Sequence, residues 1–411
     1  MNLVDNRSPA YWRNQCDLIP LFRLHAAKLS GTEGEKSMLL HGIIPPITTP
    51  FYPDGRVYYK KLEHNVEHYS KTPVAGLVVL GSTGEAVMLS DEEHRQVLKT
   101  ASEACAAHKV LIAGTGAESA IETLRLTEYA AELGYDVALV RTPFYFRNRM
   151  PPENILAFYR TVADRSPIPI MIYSVPVFTG YDIPAELVIE LAEHANIIGI
   201  KESGGDVEKV RRMAEGTRHI RRSATVTETF AAVTPRMVKR IRLEDSDTTG
   251  ELVPVAALVG TDSAHVGAGV HARPVEQGST TTSSSAITTI GKLKTRQKEV
   301  GFQISVGAAQ KLHPSLEAGA IGGILAFADP APTACYEIYA AWKEGDAGLA
   351  RLKQERISRA SIRVGAELGI SALKYAMDLN GYYGGPPRLP LLPLTADLKT
   401  EVERLMGDIR N

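Results

Sequence analysis

Cysteine and long apolar runs are both scarce in this sequence. Its 411 residues include only Cys16, Cys105 and Cys335, which are odd in number and widely spaced. Such spacing argues against a disulfide framework or a paired-cysteine metal site, and it favours a reducing compartment. The longest apolar runs, such as 74–80 and 168–173, are far shorter than the ~20 residues that span a bilayer. We therefore expect buried strands rather than membrane helices.

An excess of charge of one sign is also absent. Lys and Arg number 46 against 47 Asp and Glu, whereas proteins that bind nucleic acids or membrane surfaces usually carry a basic excess. We expect neither kind of partner, and a small-molecule substrate instead. The 11 histidines contain no HxH or HExxH pair, so no metal site and no cofactor is predicted.

Residues 1–40 lack the apolar core of a secretory signal. They carry Arg7, Arg13 and Arg23 together with acidic residues, whereas a mitochondrial transit peptide is poor in acids. We interpret this segment as a loosely attached N-terminal extension and expect a cytoplasmic protein, with a mitochondrial address as the alternative.

From residue 42 onward, short β-rich runs alternate with longer amphipathic stretches. Several runs are apolar throughout, as is typical of strands covered on both faces. The stretches between them carry helix-start signals, such as the capping box that begins at Ser90. Eight strands separated by helices favour an α/β fold, a (β/α)8 TIM barrel over 41–332, with a doubly wound open sheet as the rival. The eight runs cover 42–48, 76–80, 110–113, 137–140, 168–173, 197–201, 302–306 and 323–327.

Two regions depart from this alternation. Between the sixth and seventh strands, about eighty extra residues at 216–300 begin with a basic stretch and become rich in Ser and Thr. Such tracts cannot bury enough apolar surface to order themselves. We interpret 216–300 as a disordered or poorly packed insertion with a solvated basic face, or with a weak polyanion contact as the alternative. Residues 333–411 indicate a C-terminal helical subdomain, with helices at 334–343, 347–368, 371–379 and 395–409.

Lys201 ends an apolar run and is the first candidate for chemistry. In a barrel, functional residues gather where strands end, at the carboxyl-terminal face. Side chains alternate along a strand, so Lys201, Gly199 and Ile197 are expected on one face. If that face is the barrel interior, burial disfavours the ammonium, and a neutral amine can attack a ketone to form a Schiff base. The alternative is a snorkelling lysine paired with Glu202 or Asp206.

Two further strand ends carry groups suited to proton transfer and carboxylate binding. Tyr173 ends the preceding run, and its phenol could move protons between substrate, amine and water. The alternative is a tyrosine with its ring in the core and its hydroxyl in water. Ser82 and Thr83 lie between glycines after the second run, where hydroxyls and exposed N–H groups could hold a carboxylate and relay a proton to Tyr173. An ordinary strand-to-helix turn is the alternative there.

Four motifs recur in a recognisable order along the chain. They are Gly81-Ser82-Thr83-Gly84-Glu85, Thr142-Pro143-Phe144-Tyr145, Tyr173-Ser174-Val175-Pro176 with Thr179-Gly180, and Gly199-Ile200-Lys201-Glu202. In this order the chain resembles the dihydrodipicolinate synthase / N-acetylneuraminate lyase superfamily of pyruvate-dependent Schiff-base aldolases, over about 42–215 and 301–400. Within it, the likeness is greatest to the 4-hydroxy-2-oxoglutarate aldolases. The resemblance implies a (β/α)8 barrel, a C-terminal helical subdomain and often a dimer of dimers.

The resemblance also implies catalytic roles for individual residues. It makes Lys201 the Schiff-base lysine and Tyr173 the proton-relay tyrosine. Ser82 and Thr83 take the two hydroxyl positions, and Thr83 with its backbone holds the pyruvyl carboxylate.

Other positions carried over from the resemblance concern the pocket and the assembly. Tyr145 corresponds to a tyrosine that family members insert into a neighbouring subunit's site, which implies a homo-oligomer, either a dimer or a tetramer. Gly307 and Ile324 correspond to pocket-lining positions near pyruvate. Phe178 is a departure, because dihydrodipicolinate synthases usually carry an arginine there for the second substrate's carboxylate, and a phenyl ring cannot make that contact.

These observations predict a class I lyase that acts on pyruvate or another 2-oxo acid, most like 4-hydroxy-2-oxoglutarate aldolase. One alternative is 4-hydroxy-tetrahydrodipicolinate synthase, which joins pyruvate to aspartate semialdehyde. The other is a non-catalytic barrel that binds an oxo acid. If the insertion disturbs the seventh strand, Gly307 would be misplaced and activity impaired.

Overall fold

The computed structural model of the protein describes residues 37–249 and 287–409. Its main sheet has eight parallel strands, which follow one another in the order Gly42–Ile43, Gly322–Gly323, Gln303–Val306, Ile197–Glu202, Ile170–Ser174, Val137–Arg141, Val110–Gly114 and Gly76–Val79. Between the first and last of these strands, the Ala75 amide donates to the Ile43 carbonyl (2.8 Å) and the Val78 amide to that of Pro45 (2.9 Å). The sheet therefore closes into the predicted barrel. The strands are β1 Gly42–Ile43, β2 Gly76–Val79, β3 Val110–Gly114, β4 Val137–Arg141, β5 Ile170–Ser174, β6 Ile197–Glu202, β7 Arg222–Thr227, β8 Thr288–Ile290, β9 Leu293–Val300, β10 Gln303–Val306 and β11 Gly322–Gly323.

The barrel has one apolar cluster inside the ring of strands and a larger one between strands and helices. Alternation divides each strand between the two, as in β4, where Val137 and Leu139 face inward while Ala138 and Val140 face the helices. The inner cluster consists of Leu40, Ile44, Val78, Val110, Ile112, Val137, Leu139, Met171, Tyr173, Val175, Ile198 and Ile324.

Helices follow the barrel strands because the sequence marks their starts. Ser90 forms the predicted capping box with Glu93, and Asp206 accepts hydrogen bonds from the amides of Glu208 and Lys209 at the start of another helix. Within the described ranges 37–249 and 287–317 the α-helices are α1 Tyr59–Ser70, α2 Asp91–Ala104, α3 Ala120–Glu132, α4 Pro152–Arg165, α5 Pro176–Thr179, α6 Ala185–Ala192, α7 Val207–Gly216, α8 Pro235–Thr249 and α9 Leu312–Glu317.

The predicted C-terminal helices are present, with one internal change. They are α10 Pro332–Lys343, α11 Ala347–Ala360, α12 Ile370–Leu379 and α13 Ala396–Met406. The helix expected at 347–368 is α-helical only to Ala360 and continues as a π-helix over Ser361–Glu367. The division of the chain at 40/41 and 332/333 stays a prediction, and within 1–40 only residues 37–40 are described.

The prediction of a disordered insertion at 216–300 is wrong for residues 216–249 and 287–300, and residues 250–286 lie outside the part of the chain that the structure describes. Strand β7 pairs antiparallel with β9, which pairs with β8, and α8 lies between β7 and β8 in the chain. The inner faces of this small sheet bury Ala224, Val226 and Val300 against Leu39. This sheet could not be predicted from the sequence, because β7 and β9 are 65 residues or more apart in the chain. No local pattern of apolar residues indicates that two such distant strands pair. Part of the Ser/Thr tract, residues 279–286, lies outside the described residues.

The insertion lies at the amino-terminal edge of the barrel. In a βα unit the helix returns the chain to that edge, so a segment between α7 and β10 must emerge there. Contacts agree with this placement: Thr234 Oγ1 donates to the carbonyl of Ala107, just before β3 (2.5 Å), and Arg222 Nη2 to that of Ala192, before β6 (2.8 Å). The insertion is therefore remote from the strand ends that carry the candidate site, and β10 keeps its register with β6.

Two residues of the basic stretch are not solvated, contrary to the sequence prediction. Arg222 is 3% exposed, and the side chain of Arg236 is 14% exposed and paired with Asp136 Oδ2 at 3.4 Å. Their guanidinium groups hold the insertion to the barrel. Arg221 and Arg240 are exposed as expected and pair with Glu299 and Glu244.

Candidate active site

Lys201 and Tyr173 meet inside the barrel at its carboxyl-terminal edge. They end neighbouring strands, are paired in the parallel ladder of β5 and β6, and are 4% and 5% exposed. Lys201 Nζ lies 4.1 Å from the centre of the Tyr173 ring. The predicted juxtaposition of an enclosed amine and a phenol is therefore present.

The alternative pairing of Lys201 with Glu202 or Asp206 is not what the structure contains. Glu202 points to the opposite face of β6 and forms a buried ion pair with Lys209 (2.8 Å). Asp206 caps α7. Neither carboxylate is engaged with Lys201, because successive residues of a strand face opposite sides.

The predicted face of β6 is wrong in one position. Gly199 and Lys201 lie on the inner side, but Ile197 belongs to the outer cluster and Ile198 to the inner one. The cause is an irregularity in pairing, since Ile170 is opposite Ile197 while Met171 is opposite Gly199. One extra residue in a strand reverses the alternation on one side of it, and a sequence period cannot reveal it.

The turn after β2 brings a hydroxyl to the phenol. Ser82 Oγ lies 3.2 Å from Tyr173 Oη, and Thr83 beside it is 7% exposed. Leu80 and Glu85 flank the turn with positive φ angles of 63° and 54°, a backbone region that non-glycine residues adopt rarely and at a cost. The turn is therefore a constrained one, and its geometry supports the predicted Ser82–Tyr173 relay.

Gly307 and Ile324 follow the last two strands of the barrel. A methyl group on Gly307 would lie 2.0 Å from Ser203 Oγ, so only glycine permits this close approach. Ile324 shares the inner cluster with Tyr173. Both positions are ordered at the barrel's carboxyl-terminal edge despite the insertion; their contact with pyruvate stays a prediction.

Tyr145 is not brought to the other candidates within one chain. It is 73% exposed, its ring lies edge-on to Phe146, and its amide donates to Glu118 Oε2 (2.9 Å). Its predicted insertion into a neighbouring subunit's site stays a prediction.

A cavity of about 380 Å³ opens beside the phenol. Its walls include Ser82, Leu139, Arg141 and Tyr173. Lys201 is not among the lining residues, and its nitrogen lies over the face of the Tyr173 ring, 4.1 Å from the ring centre. Tyr173 thus contacts the amine and also forms part of the cavity wall.

Two charged residues of this region were missed by the sequence analysis. Arg141 is the last residue of β4, as Lys201 is the last but one of β6, and its Cα is paired with that of Tyr173. Asp329 follows the last barrel strand and is fully buried. The same signal could have found Arg141, since it is a charged residue at the end of an apolar run.

Burial dominates the electrostatics of Asp329. It raises the pKa of this carboxyl well above its ordinary value, and the positive charge of Lys201 acts in the opposite direction. Neither carboxylate oxygen has a hydrogen-bond partner among the described residues. An uncompensated buried carboxylate is costly, so the folded protein favours the neutral acid here.

Within 37–249 and 287–409, no group of three or more His, Cys, Asp or Glu side chains is arranged to hold a metal ion. None of the helices in these ranges is both long and apolar enough to cross a bilayer.

Comparison with protein families and curated relatives gives consistent matches. The model of the dihydrodipicolinate synthetase family matches residues 39–226 and 281–409. A 4-hydroxy-tetrahydrodipicolinate synthase of Methanosarcina barkeri is 38% identical over 179 residues, 44% of this chain and 60% of that protein. The corresponding enzyme of Methanoculleus marisnigri is 40% identical over 182 residues, 44% of this chain and 62% of that protein. The matches thus span about three fifths of these relatives.

Solved structures share the fold over most of the chain. A dihydrodipicolinate synthase from Bacillus anthracis aligns with a TM-score of 0.67 and 21% identity, covering 91% of this chain and 100% of the other. A chloride-inhibited dihydrodipicolinate synthase from Acinetobacter baumannii, complexed with pyruvate, aligns with a TM-score of 0.65 and 26% identity, covering 90% and 99%.

Proposed function

Because the chain belongs to the dihydrodipicolinate synthetase family, we propose that it is a pyruvate-dependent Schiff-base lyase with Lys201 as its nucleophile. One observation carries the proposal: the Lys201 amine is enclosed in the barrel 4.1 Å from the ring centre of Tyr173, whose hydroxyl meets Ser82. An enclosed amine beside a proton-relay group is the arrangement that imine chemistry requires.

The reaction is most simply written for a 4-hydroxy-2-oxo acid. Lys201 Nζ attacks the C2 carbonyl, and loss of water gives an iminium. Tyr173 donates its proton to the C2 hydroxyl that leaves as water. The resulting phenolate, hydrogen-bonded by Ser82, accepts the proton of the C4 hydroxyl as the C3–C4 bond breaks, and the bonding electrons move into the iminium. An aldehyde leaves and an enamine remains. Protonation at C3 and hydrolysis of the imine release pyruvate and restore the amine, so no external oxidant or cofactor is needed.

We propose that 4-hydroxy-2-oxoglutarate is the preferred type of substrate. Phe178, where a synthase would place an arginine for aspartate semialdehyde, is uncharged and 62% exposed. The active form is proposed to be a dimer or tetramer in the cytoplasm, with Tyr145 completing a neighbouring site. The curated relatives favour 4-hydroxy-tetrahydrodipicolinate synthase as the second candidate.

Trapping the imine tests the proposal directly. Borohydride added with pyruvate should fix a pyruvyl adduct on Lys201, detected by mass spectrometry of the digested protein. Lys201→Arg should abolish both adduct and turnover, because a guanidinium does not form the imine. Lys298→Arg changes a lysine on β9, at the other end of the barrel, and should leave the adduct on Lys201 unchanged.

Three other results of these experiments would contradict the proposal or part of it. An adduct on another lysine would overturn the assignment of Lys201. Stabilisation by pyruvate without trapping would indicate the non-catalytic binding barrel. Faster turnover of pyruvate with aspartate semialdehyde than of 4-hydroxy-2-oxoglutarate would favour the synthase.

A further inference from the structure

Arg141 lies at the carboxyl-terminal edge of the barrel, and it has no role in the reaction described above. It is the last residue of β4, and the alternation of Val137 and Leu139 places its side chain on the inner side of the barrel. The side chain is 17% exposed and lines the same cavity as Ser82 and Tyr173. A guanidinium so far removed from water needs hydrogen bonds or an opposite charge as compensation.

The partners of Arg141 fix its orientation and leave one edge of the guanidinium available. Nη1 donates to Glu118 Oε1 (2.8 Å) and to the Thr142 carbonyl (3.3 Å), and the group lies 4.8 Å from the centre of the Phe144 ring. Among the described residues both hydrogen bonds of the side chain come from Nη1. The Nε–Nη2 edge therefore retains its donors for a ligand.

The surrounding backbone is shaped to admit this side chain. A methyl group on Gly116 would lie 2.7 Å from Arg141 Cγ and 2.5 Å from its amide nitrogen, so a larger residue would displace the arginine. Glu118 is itself held in place, because its Oε2 accepts from the amides of Phe144 and Tyr145 at 3.0 and 2.9 Å. The loop after β3 thus provides both the space and the counter-charge for Arg141.

The spacing suits the far end of a substrate bound at Lys201. Arg141, Tyr173 and Lys201 are successive partners across three strands, which puts the backbones of Arg141 and Lys201 about 10 Å apart at ~4.8 Å per strand. A five-carbon 2-oxo acid attached through C2 extends three more carbons beyond the imine. An arginine side chain reaching inward closes the remaining distance. Its planar fork matches a carboxylate, which accepts two parallel hydrogen bonds.

We propose that Arg141 binds the distal carboxylate of the substrate and so selects 4-hydroxy-2-oxo dicarboxylic acids over analogues with an uncharged tail. This inference rests on the proposed Schiff-base function and specifies its substrate class. Arg141 supplies the cationic contact that Phe178 cannot make, from a different strand end.

A matched pair of substrates tests the inference. 4-Hydroxy-2-oxoglutarate ends in a distal carboxylate, whereas 4-hydroxy-2-oxopentanoate ends in a methyl group. Cleavage of either compound releases pyruvate. Arg141→Gln should lower kcat/KM for the dicarboxylic acid by about 10- to 100-fold, chiefly through KM, as expected for loss of a charge-assisted contact. The value for the uncharged analogue should change by less than about 3-fold, because that tail has no contact to lose. Arg141→Lys should be intermediate for the dicarboxylic acid, since it keeps the charge but not the fork.

The controls separate this inference from the proposed function. Borohydride trapping of pyruvate on Lys201 should be equal in wild type and Arg141→Gln, because pyruvate has no distal carboxylate; it also shows that the variant is folded. Arg149→Gln changes an exposed arginine in the segment that follows β4 and should leave kcat/KM for both substrates unchanged. Equal losses for both substrates, or no loss for either, would overturn the role of Arg141 while the trapped adduct upholds Lys201. Absence of an adduct in the wild type would overturn both.

Discussion

At the residue scale, the candidate site is defined by charged groups that the fold removes from water. Lys201 and Asp329 are both buried at the same edge of the barrel, and the positive charge of Lys201 opposes the rise that burial causes in the pKa of Asp329. Charged side chains are rarely buried without a partner. Asp329 has none among the described side chains, so its protonation is coupled to folding.

Replacing Asp329 with Asn should make stability less dependent on pH. Because burial raises the folded-state pKa of Asp329, the folded protein holds this proton more firmly than the unfolded chain. The resulting stability is complete below the unfolded pKa of about 4 and is lost as pH rises toward the folded value. Asn cannot ionise, so thermal unfolding of Asp329→Asn and wild type should diverge as pH rises from 4 to 8, with the variant gaining.

The control for this measurement is a carboxylate in water. Glu128→Gln makes the same chemical change at an exposed position of α3 and should show no such divergence. Parallel curves for Asp329→Asn and wild type would contradict the coupling.

At the scale of elements, the insertion is held by a few buried polar contacts rather than by a large core. Arg236 of α8 reaches Asp136, which precedes β4, and also donates to the carbonyl of Lys109. Burial raises the pKa of Asp136 to about 6, and Arg236 opposes that rise. The guanidinium therefore both anchors the insertion and compensates a buried carboxylate.

Arg236→Met should destabilise the protein more at pH 8 than at pH 5. Without the guanidinium the pKa of Asp136 rises above about 6. At pH 8 the variant must therefore bury a carboxylate that has lost its counter-charge and keeps the hydrogen bond from the Leu111 amide, at a cost of about 3 kcal/mol. At pH 5 the carboxyl is mostly protonated and the cost is smaller. Urea unfolding at the two pH values measures the difference.

Arg240 provides the comparison on the same helix. It is 74% exposed and paired with Glu244, and exposed pairs contribute little. Arg240→Met should be neutral at both pH values. An Arg236→Met loss that is equal at pH 5 and pH 8 would show that the carbonyl contact, not Asp136, carries the effect.

At the scale of the whole molecule, the C-terminal helices support the turn that carries Ser82 and Thr83. Lys374 of α12 is fully buried and lies 2.5 Å from Glu85, and Nζ also donates to the carbonyl of Thr49 (2.9 Å). The amide of Arg388 donates to the other oxygen of Glu85 (2.8 Å). Glu85 thus joins the constrained turn of the barrel to two C-terminal segments.

Breaking this pair should cost more than removing it. Lys374→Met leaves Glu85 buried without a counter-charge and should lower the free energy of unfolding by about 3–5 kcal/mol. The double variant Glu85→Leu/Lys374→Met removes both charges and should be less destabilised than the single one. Chemical denaturation measures both, and a double variant whose loss equals or exceeds that of Lys374→Met would contradict a charge-based linkage.

Much of the barrel was open to prediction because its signals are local. Apolar runs, the Ser90 capping box and the turn residues between the runs placed all eight barrel strands near their observed positions. Two strands are shorter than expected: the first, predicted at 42–48, is only Gly42–Ile43, and the last, predicted at 323–327, is only Gly322–Gly323. The structure of the insertion was not predictable in the same way. Its sheet joins strands that are distant in the chain, and its buried arginines are covered by elements that are also distant in the chain.

The sequence by itself determined which residues end the strands, and therefore that Lys201, Tyr173 and Ser82 belong to one edge of the barrel. This follows because parallel strands share their direction and period. Only the tertiary structure decided which face each side chain occupies after the irregularity at Ile198, that Glu202 pairs with Lys209, and that Arg141 shares a cavity with Tyr173. Those outcomes depend on register between strands and on contacts across the ring, which no local pattern encodes.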